Sequence, residues 1–370
     1  MAVQRGALLR VLLVAVAAIG AAAAKVPAMF VFGDSTADVG NNDYLPWTIA
    51  RANFPHNGVD FPGGKPTGRF SNGLIGVDFL AFDMGFSRSP PPYLSFMAIA
   101  ANNISSEMMK NKTMAASAYM TGANFASGGS GVLDSTGTTI SMTKQIEYFS
   151  DLKDQISTRL GAGRVSALLS KSIFLISAGG NDAFDFFTQN RSPDSTTLQQ
   201  FSDAVISTYD SHVKTLYNSG ARKFAVINVP LIGCCPYCRR QNPTGECIEP
   251  LNKLAKSLND GIKDLFSNLS TEMQGMKYSI ASSYELVSSL IENPQAAGLE
   301  EVKSACCGGG RLNAEEGCTP NSSCCSDRSK YLFWDLLHPT QATSKFAGLA
   351  FYDGPAQLVS PITFKQLVEA

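Results

Sequence analysis

Histidine is scarce in this chain: 370 residues contain three, at positions 56, 212 and 338. Any imidazole chemistry must therefore use His56, His212 or His338. Charged side chains are also sparse, at 16% against about 25% in an ordinary globular domain. Lys and Arg number 30 against 31 for Asp and Glu. That balance gives no basic footprint, which argues against nucleic acid as the partner. Beyond the N-terminus there is no unbroken run of about 18 apolar residues, so no membrane span is expected in the mature chain. Glycine, proline and aromatic contents are ordinary and 44% of residues are hydrophobic. Disordered and fibrous classes are thereby excluded, and the chain is long enough for a large core.

What is present begins with a leader. Arg5 and Arg10 give a basic start, Val11 to Ile19 form a short apolar run, and Ala22-Ala23-Ala24 supplies small residues for cleavage. This is the pattern of a secretory signal peptide over residues 1–24. The apolar run is too short for a comfortable membrane anchor, which is the alternative. Secretion gives the nine cysteines a meaning. Cys234, Cys235, Cys238 and Cys247 form one cluster, and Cys306, Cys307, Cys318, Cys324 and Cys325 the other. In an oxidising compartment such clusters read as disulfides pinning irregular loops. Nine is odd, so at least one thiol stands outside intrachain pairing. Five glycosylation sequons, at Asn103, Asn111, Asn190, Asn268 and Asn321, fit the same extracellular destination.

Short buried runs occur at residues 28–32, 172–176, 223–227 and 277–280, and helical stripes lie between them. Ile146, Phe149, Leu152 and Ile156 share a face, as do Val205, Tyr209, Val213 and Leu216, and later Leu251, Leu254, Leu258, Ile262 and Leu265. A last helical stretch follows Pro339, from about 340 to 351. Strand then helix, repeated, predicts a mainly parallel sheet covered on both faces. Residues 51–73 and 88–115 read as long irregular loops. With no repeat and no linker-like break, residues 25–370 read as one domain with disulfide-pinned loops, expected to be monomeric.

In an open parallel sheet, ligands gather at the carboxyl ends of the strands. The first run ends in Gly33-Asp34-Ser35, the second leads to Gly179-Gly180-Asn181-Asp182, and Asp335-Leu336-Leu337-His338 stands near the C-terminus. A serine, an acid and a histidine are the parts of nucleophilic acyl transfer: imidazole takes the hydroxyl proton, and the carboxylate fixes and stabilises the imidazole. Each has an ordinary reading beside it. Asp34, Ser35 and Asp335 suit helix caps, His212 lies beside an apolar stripe, and His56 sits in a Gly/Pro-rich loop where it is expected to be exposed. His338 is the strongest base, with an acid three residues away.

Phe32-Gly33-Asp34-Ser35, continuing through Asp38 to Gly40-Asn41-Asn42, resembles the nucleophile block of the plant GDSL esterase/lipase family, a branch of the SGNH hydrolases. The stretch from Phe61 to Gly73 resembles that branch's second conserved segment. Residues Asn124 to Gly131 resemble its glycine block, Gly180-Asn181-Asp182 its asparagine block, and Tyr331 to Thr340 its acid–base block. The resemblance implies a three-layer α/β/α fold with a mainly parallel, flavodoxin-like sheet, and a cofactor-free serine hydrolase acting on small-molecule or lipid esters. It implies Ser35 as nucleophile, His338 as base and Asp335 as its orienter. It also implies an oxyanion hole from the Ser35 and Gly128 backbone N–H groups and the Asn181 side chain; Gly129, next to Gly128, is left open. Two departures stand out: Thr36 replaces the expected leucine, and no Gly-x-Ser-x-Gly elbow occurs.

Other readings compete. Cys235-Pro236-Tyr237-Cys238 matches a dithiol redox motif after a strand, but Cys234 and Cys247 crowd it and the compartment favours structural disulfides. Oxidised sulfurs are not zinc ligands, and Asp335 with His338 lacks a third ligand for a metal. An acyl-serine can also be resolved by an alcohol, which would make the chain an acyltransferase. A silent lipid- or carbohydrate-binding glycoprotein is the remaining alternative.

Overall fold

A computed structural model describes residues 25–101, 119–190 and 193–370. The leader and the sequons at Asn103 and Asn111 lie outside these residues. The central sheet has five strands in the order β1 (Met29–Gly33), β2 (Ile173–Ser177), β3 (Lys223–Ile227), β4 (Lys277–Ala281) and β9 (Val359–Ser360), the first four parallel and the last antiparallel. β1 and β2 are buried along their whole length, as parallel strands covered on both faces must be. Four intervening strands form two small sheets: β5 (Glu301–Ala305) pairs with β8 (Tyr331–Phe333), and β6 (Cys307–Gly308) with β7 (Ser323–Cys324).

The register aligns Phe30, Phe174, Phe224 and Tyr278 in one row. Neighbouring rings there lie 5.2 Å (Phe30–Phe174) and 6.0 Å (Phe174–Phe224) apart. Helices α3 (Met142–Leu160), α6 (Ser195–Asn218) and α8 (Glu249–Glu272) cover this face, and the stripes foreseen on them are buried except at Leu265, which is partly buried while Phe266 beside it takes the core position. Phe149 of α3 meets Phe30 edge-on at 5.2 Å, and Phe266 of α8 meets Phe224 at 6.1 Å. Such pairs contribute about 0.5–1.5 kcal/mol each beyond burial. On the opposite face, α1 (Gly76–Asp83) packs on α10 (Gln341–Asp353), and α11 (Phe364–Glu369) packs on α10, β3 and β4.

Outside β1, a segment at Ala123–Phe125 runs parallel to it: Val31 N–H donates to Ala123 O at 3.0 Å, and Phe125 N–H to Val31 O at 2.7 Å. With this bridge counted, β1 becomes internal and the order is the flavodoxin-like one. The expected irregular stretch 88–115 differs: it contains a helix, α2 (Leu94–Ala101), whose nearly all-apolar sequence has no polar face to betray a 3.6-residue period.

Three disulfides join Cys234–Cys247, Cys306–Cys325 and Cys307–Cys318. The last two surround Trp334, which is fully buried. The reading of both cysteine clusters as structural bridges is corrected for three residues: Cys235, Cys238 and Cys324 are thiols.

Gly33, where β1 ends, has φ 139°, and a Cβ there would stand 2.0 Å from the Ser177 carbonyl oxygen of β2. Only glycine allows this approach. Its N–H donates to a side chain of α3, Gln145 Oε1, at 2.8 Å, while its carbonyl accepts from Ser127 N–H (2.9 Å), Ser130 Oγ (2.8 Å) and Gln145 Nε2 (2.9 Å). Gln145→Ala leaves that buried N–H without an acceptor, so a loss of about 2–3 kcal/mol in urea unfolding is expected. Unchanged stability would show that water replaces the amide.

Candidate active site

Ser35 follows the Gly33 break. Ala37 and Asp38 N–H both donate to Asp34 O, at 3.1 and 3.0 Å, closing a single helical turn that presents Ser35 at its start. The Asp34 carboxylate accepts from Thr36 N–H at 2.9 Å and Thr36 Oγ1 at 2.7 Å. Thr36 Oγ1 also lies 2.8 Å from Ser177 Oγ. Thr36 therefore has a hydrogen-bonding role that a leucine could not fill. Burial pushes the Asp34 carboxyl up to about 6, against the pull of the Thr36 hydrogen bonds.

Below this turn lies a polar network. Asp38 is wholly buried and accepts from Gly40 N–H (2.7 Å), Asn41 N–H (2.7 Å) and Gly128 N–H (3.0 Å). Desolvation raises its pKa to about 6 despite these donors. Asn41 Nδ2 donates to Asn124 O and Ala126 O, and Asn42 Nδ2 to Gly128 O. Asn124 Nδ2 returns the contact to Ala37 O at 2.7 Å. The serine turn and the glycine-rich loop are thus sewn together by side chains that fill buried backbone groups.

The other half comes from the far end of the chain. Between β8 and α10, the Asp335 carboxylate accepts from the backbone N–H of Leu337 (2.9 Å) and His338 (2.8 Å), and lies 2.8 and 2.9 Å from His338 Nδ1. His338 Nε2 stands 2.8 Å from Ser35 Oγ. The three residues singled out from sequence are therefore in one hydrogen-bonded line. Thr340, not Asp335, caps α10. Burial alone would lift Asp335 and depress His338. The charge and hydrogen bond each offers the other outweigh this, leaving Asp335 below and His338 above its ordinary value. Asp34 adds to the rise at His338.

The second family-like segment supports this loop. The Phe70 ring lies 4.9 Å from the His338 imidazole, Ser71 Oγ donates to Pro339 O at 3.2 Å, and Gln341 N–H donates to Asn72 Oδ1 at 2.8 Å. Arg69 makes a two-pronged, buried pair with Asp78 of α1, both contacts at 2.8 Å. Sequence reasoning gave these residues no role. Their signal was membership of the block, but their partners lie in distant segments.

Gly128 is a correction. Its N–H is taken by Asp38 at 3.0 Å, so it is not available to an oxyanion. Gly129, half-exposed at φ 86°, has a backbone N–H with no acceptor among the described residues, as does Ser35. Asn181 sits at the start of α5 (Gly180–Gln189), and its Nδ2 donates to Ser130 O at 2.8 Å. That orients the amide and leaves its second N–H. Asp182 accepts from Val132 N–H, Leu133 N–H and Thr136 Oγ1, holding the glycine loop against α5. Of the other histidines, His212 is buried on α6 with Nε2 3.1 Å from Val132 O. His56 is half-buried, not exposed as expected, and sits in a turn at φ 80°.

An apolar cavity of about 150 Å³ opens on Ser35 and His338, walled by Val77, Phe184, Ile232, Leu286, Phe333 and Phe351 among others. Such a site activates a hydroxyl beside a place for a hydrocarbon chain, the requirement for transferring an acyl group.

The comparisons with known proteins agree. Residues 29–351 match the model of the GDSL-like lipase/acylhydrolase family. Three Arabidopsis thaliana proteins, each named a GDSL esterase/lipase, are similar over most of their length. One is 39% identical over 352 residues, 93% of this chain and 90% of its own. Another is 35% identical over 358 residues (93% and 91%), and a third 35% over 329 residues (87% and 89%). With the family model spanning the four parallel strands, the serine turn and the Asp335–His338 loop alike, this chain belongs to the GDSL lipase/acylhydrolase family.

Proposed function

We propose that this protein hydrolyses carboxylic esters through an acyl-serine intermediate on Ser35. The observation that carries the proposal is the unbroken line from Ser35 Oγ to His338 Nε2 and from His338 Nδ1 to Asp335. Neutral His338 takes the hydroxyl proton as Ser35 attacks the ester carbonyl. The resulting imidazolium is held by Asp335 and returns the proton to the departing alcohol. Water, activated by the same imidazole, then releases the acid. The oxyanion is met by the N–H groups of Ser35 and Gly129 and by the Asn181 amide. Asp38 acts at one remove, fixing the loop that aims Gly129.

The acyl group lies in the apolar cavity. Its volume of about 150 Å³ equals that of an engineered cavity that takes up benzene, so an acyl chain of roughly six carbons fits without rearrangement. The protein works outside the cell, its leader (1–24) removed. Support comes from the three disulfides and from the exposure of Asn268 and Asn321, while Asn190 is half-buried against Phe186 O. No helix among the described residues is long and apolar enough to cross a membrane.

Ser35→Ala is expected to lower turnover of a short-chain ester on the order of 10⁴-fold or more, and to abolish labelling by a serine-directed phosphonate. Near-normal turnover would remove Ser35 from the mechanism. A predominant new ester when excess alcohol is supplied would make the enzyme an acyltransferase instead.

The base must be deprotonated to act, so kcat/KM rises with pH through the His338 pKa, with a midpoint above the ordinary value of about 6.5. In Asp335→Asn the charge that raises His338 is gone while its burial remains. The midpoint then moves to lower pH, and kcat falls on the order of 10⁴-fold. A midpoint that moves upward would contradict the assignment. Asn181→Ala should cost about 3 kcal/mol of transition-state stabilisation in kcat/KM with unfolding unchanged; an effect confined to KM would place Asn181 in ground-state binding.

A further inference from the structure

The segment after β3 carries four cysteines, and one disulfide uses only Cys234 and Cys247. Cys235 and Cys238 remain as thiols, and both are buried. They begin and nearly complete one short turn, in which Cys238 N–H donates to Cys235 O at 3.0 Å. A turn of this kind keeps its ends within the Cα separation that a disulfide spans.

Two contacts connect the turn to the active site. Cys235 lines the same cavity as Ser35 and His338. Tyr237, between the two thiols, donates its backbone N–H to the Leu336 carbonyl at 3.0 Å. Leu336 lies between Asp335 and His338, so the thiol turn is a strut under the acid–base loop. The far side of the turn is fixed by the buried Arg239, whose Nε donates to Cys234 O at 2.8 Å and Nη1 to Gly245 O at 3.0 Å. Movement within the turn is therefore directed toward Leu336.

We propose that Cys235 and Cys238 are a peroxide-sensitive site that switches the acid–base loop. Hydrogen peroxide is small enough to enter the cavity and reach Cys235. The Cys235 sulfur attacks one peroxide oxygen, the O–O bond breaks, and water leaves, giving a sulfenic acid. The Cys238 sulfur then attacks the Cys235 sulfur, the S–OH bond breaks, and a second water leaves with the thiol proton. Two thiols and one peroxide become one disulfide and two waters. The new bond fixes the two sulfurs about 2.05 Å apart. The Tyr237 amide shifts with them and carries Leu336 and His338 out of line with Ser35. The dithiol form, in which the Ser35–His338 contact is 2.8 Å, is the active one.

The test uses the whole protein, with the proposed ester hydrolysis only as one readout. Wild-type enzyme is treated with hydrogen peroxide and quenched with catalase. Peptide mass spectrometry after differential alkylation follows all four cysteine pairs, and Ser35 phosphonylation and ester turnover are measured in parallel. Formation of the Cys235–Cys238 disulfide should accompany a loss of turnover on the order of a hundredfold, the effect of misplacing a catalytic group by about 1 Å. Phosphonylation should slow alongside it. A monothiol that leaves the other three disulfides intact should restore both. Cys235→Ala, whatever its starting activity, should show no reversible loss, and Cys238→Ala should form no disulfide. The proposal is overturned if the pair stays reduced, if it oxidises with phosphonylation unchanged, or if Cys235→Ala shows the same reversible loss. Thiol labelling needs no substrate, so failure of the ester reading would leave this result separately legible.

Discussion

Asp38 has no solvent exposure and accepts three backbone hydrogen bonds, two from the residues just after the serine turn and one from Gly128, ninety residues away. A buried carboxylate is costly unless its oxygens are filled by donors. Here the donors are the backbone groups of two loops that would otherwise be left without partners. Neither loop has regular structure beyond short helical turns such as Asn41–Tyr44. Asp38 thus ties the serine turn to the glycine loop from within, and Asn41, Asn42, Asn124 and the bonds of Ser127 N–H and Ser130 Oγ to Gly33 O extend the stitching. The hydroxyl and the donors expected to face it are placed by a polar interior, while the apolar sheet merely carries them.

The acid–base loop follows a different logic. Asp335 and His338 are three residues apart and satisfy one another within a single turn, with the backbone of the same turn completing the carboxylate's bonds. The pair is local and nearly self-sufficient. What must be supplied from elsewhere is its position relative to Ser35. Phe70, Ser71 and Asn72 hold it from one side, and Tyr237 from another. Asp60 and Arg328 add a two-pronged ion pair at 2.6 and 2.8 Å, joining the second segment to the chain just before β8. That pair lowers the Asp60 pKa mainly through the Arg328 hydrogen bonds.

Legibility in the sequence followed the range of the interactions. The four parallel strands read to within a residue, since a fully buried strand is a local apolar run. The stripes of α3, α6 and α8 read for the same reason. Ser35, Asp335 and His338 were legible because family-like blocks surround them and because histidine is rare. The choice between Gly128 and Gly129 was not legible: it depends on which N–H Asp38 already occupies, a contact that no spacing encodes. Helix α2 escapes a periodicity reading because its apolar sequence carries no periodic contrast. Cys235 and Cys238 are not separable from the bridged cysteines by spacing, because one partner choice, Cys234 with Cys247, decides the fate of the others, and connectivity is a property of the folded chain.

The contact between Ser35 and His338 joins residues 303 positions apart. At a synthesis rate of about 5–20 residues per second, the base follows the nucleophile by roughly 15–60 s. During that interval the serine turn has neither a proton acceptor nor the α10 side of the cavity. On the proposed mechanism the growing chain is inert toward esters until nearly the whole of it has been made. The last forty or so residues carry His338 together with β9, α10 and α11, so the proposed base and the cover of one face of the sheet arrive together.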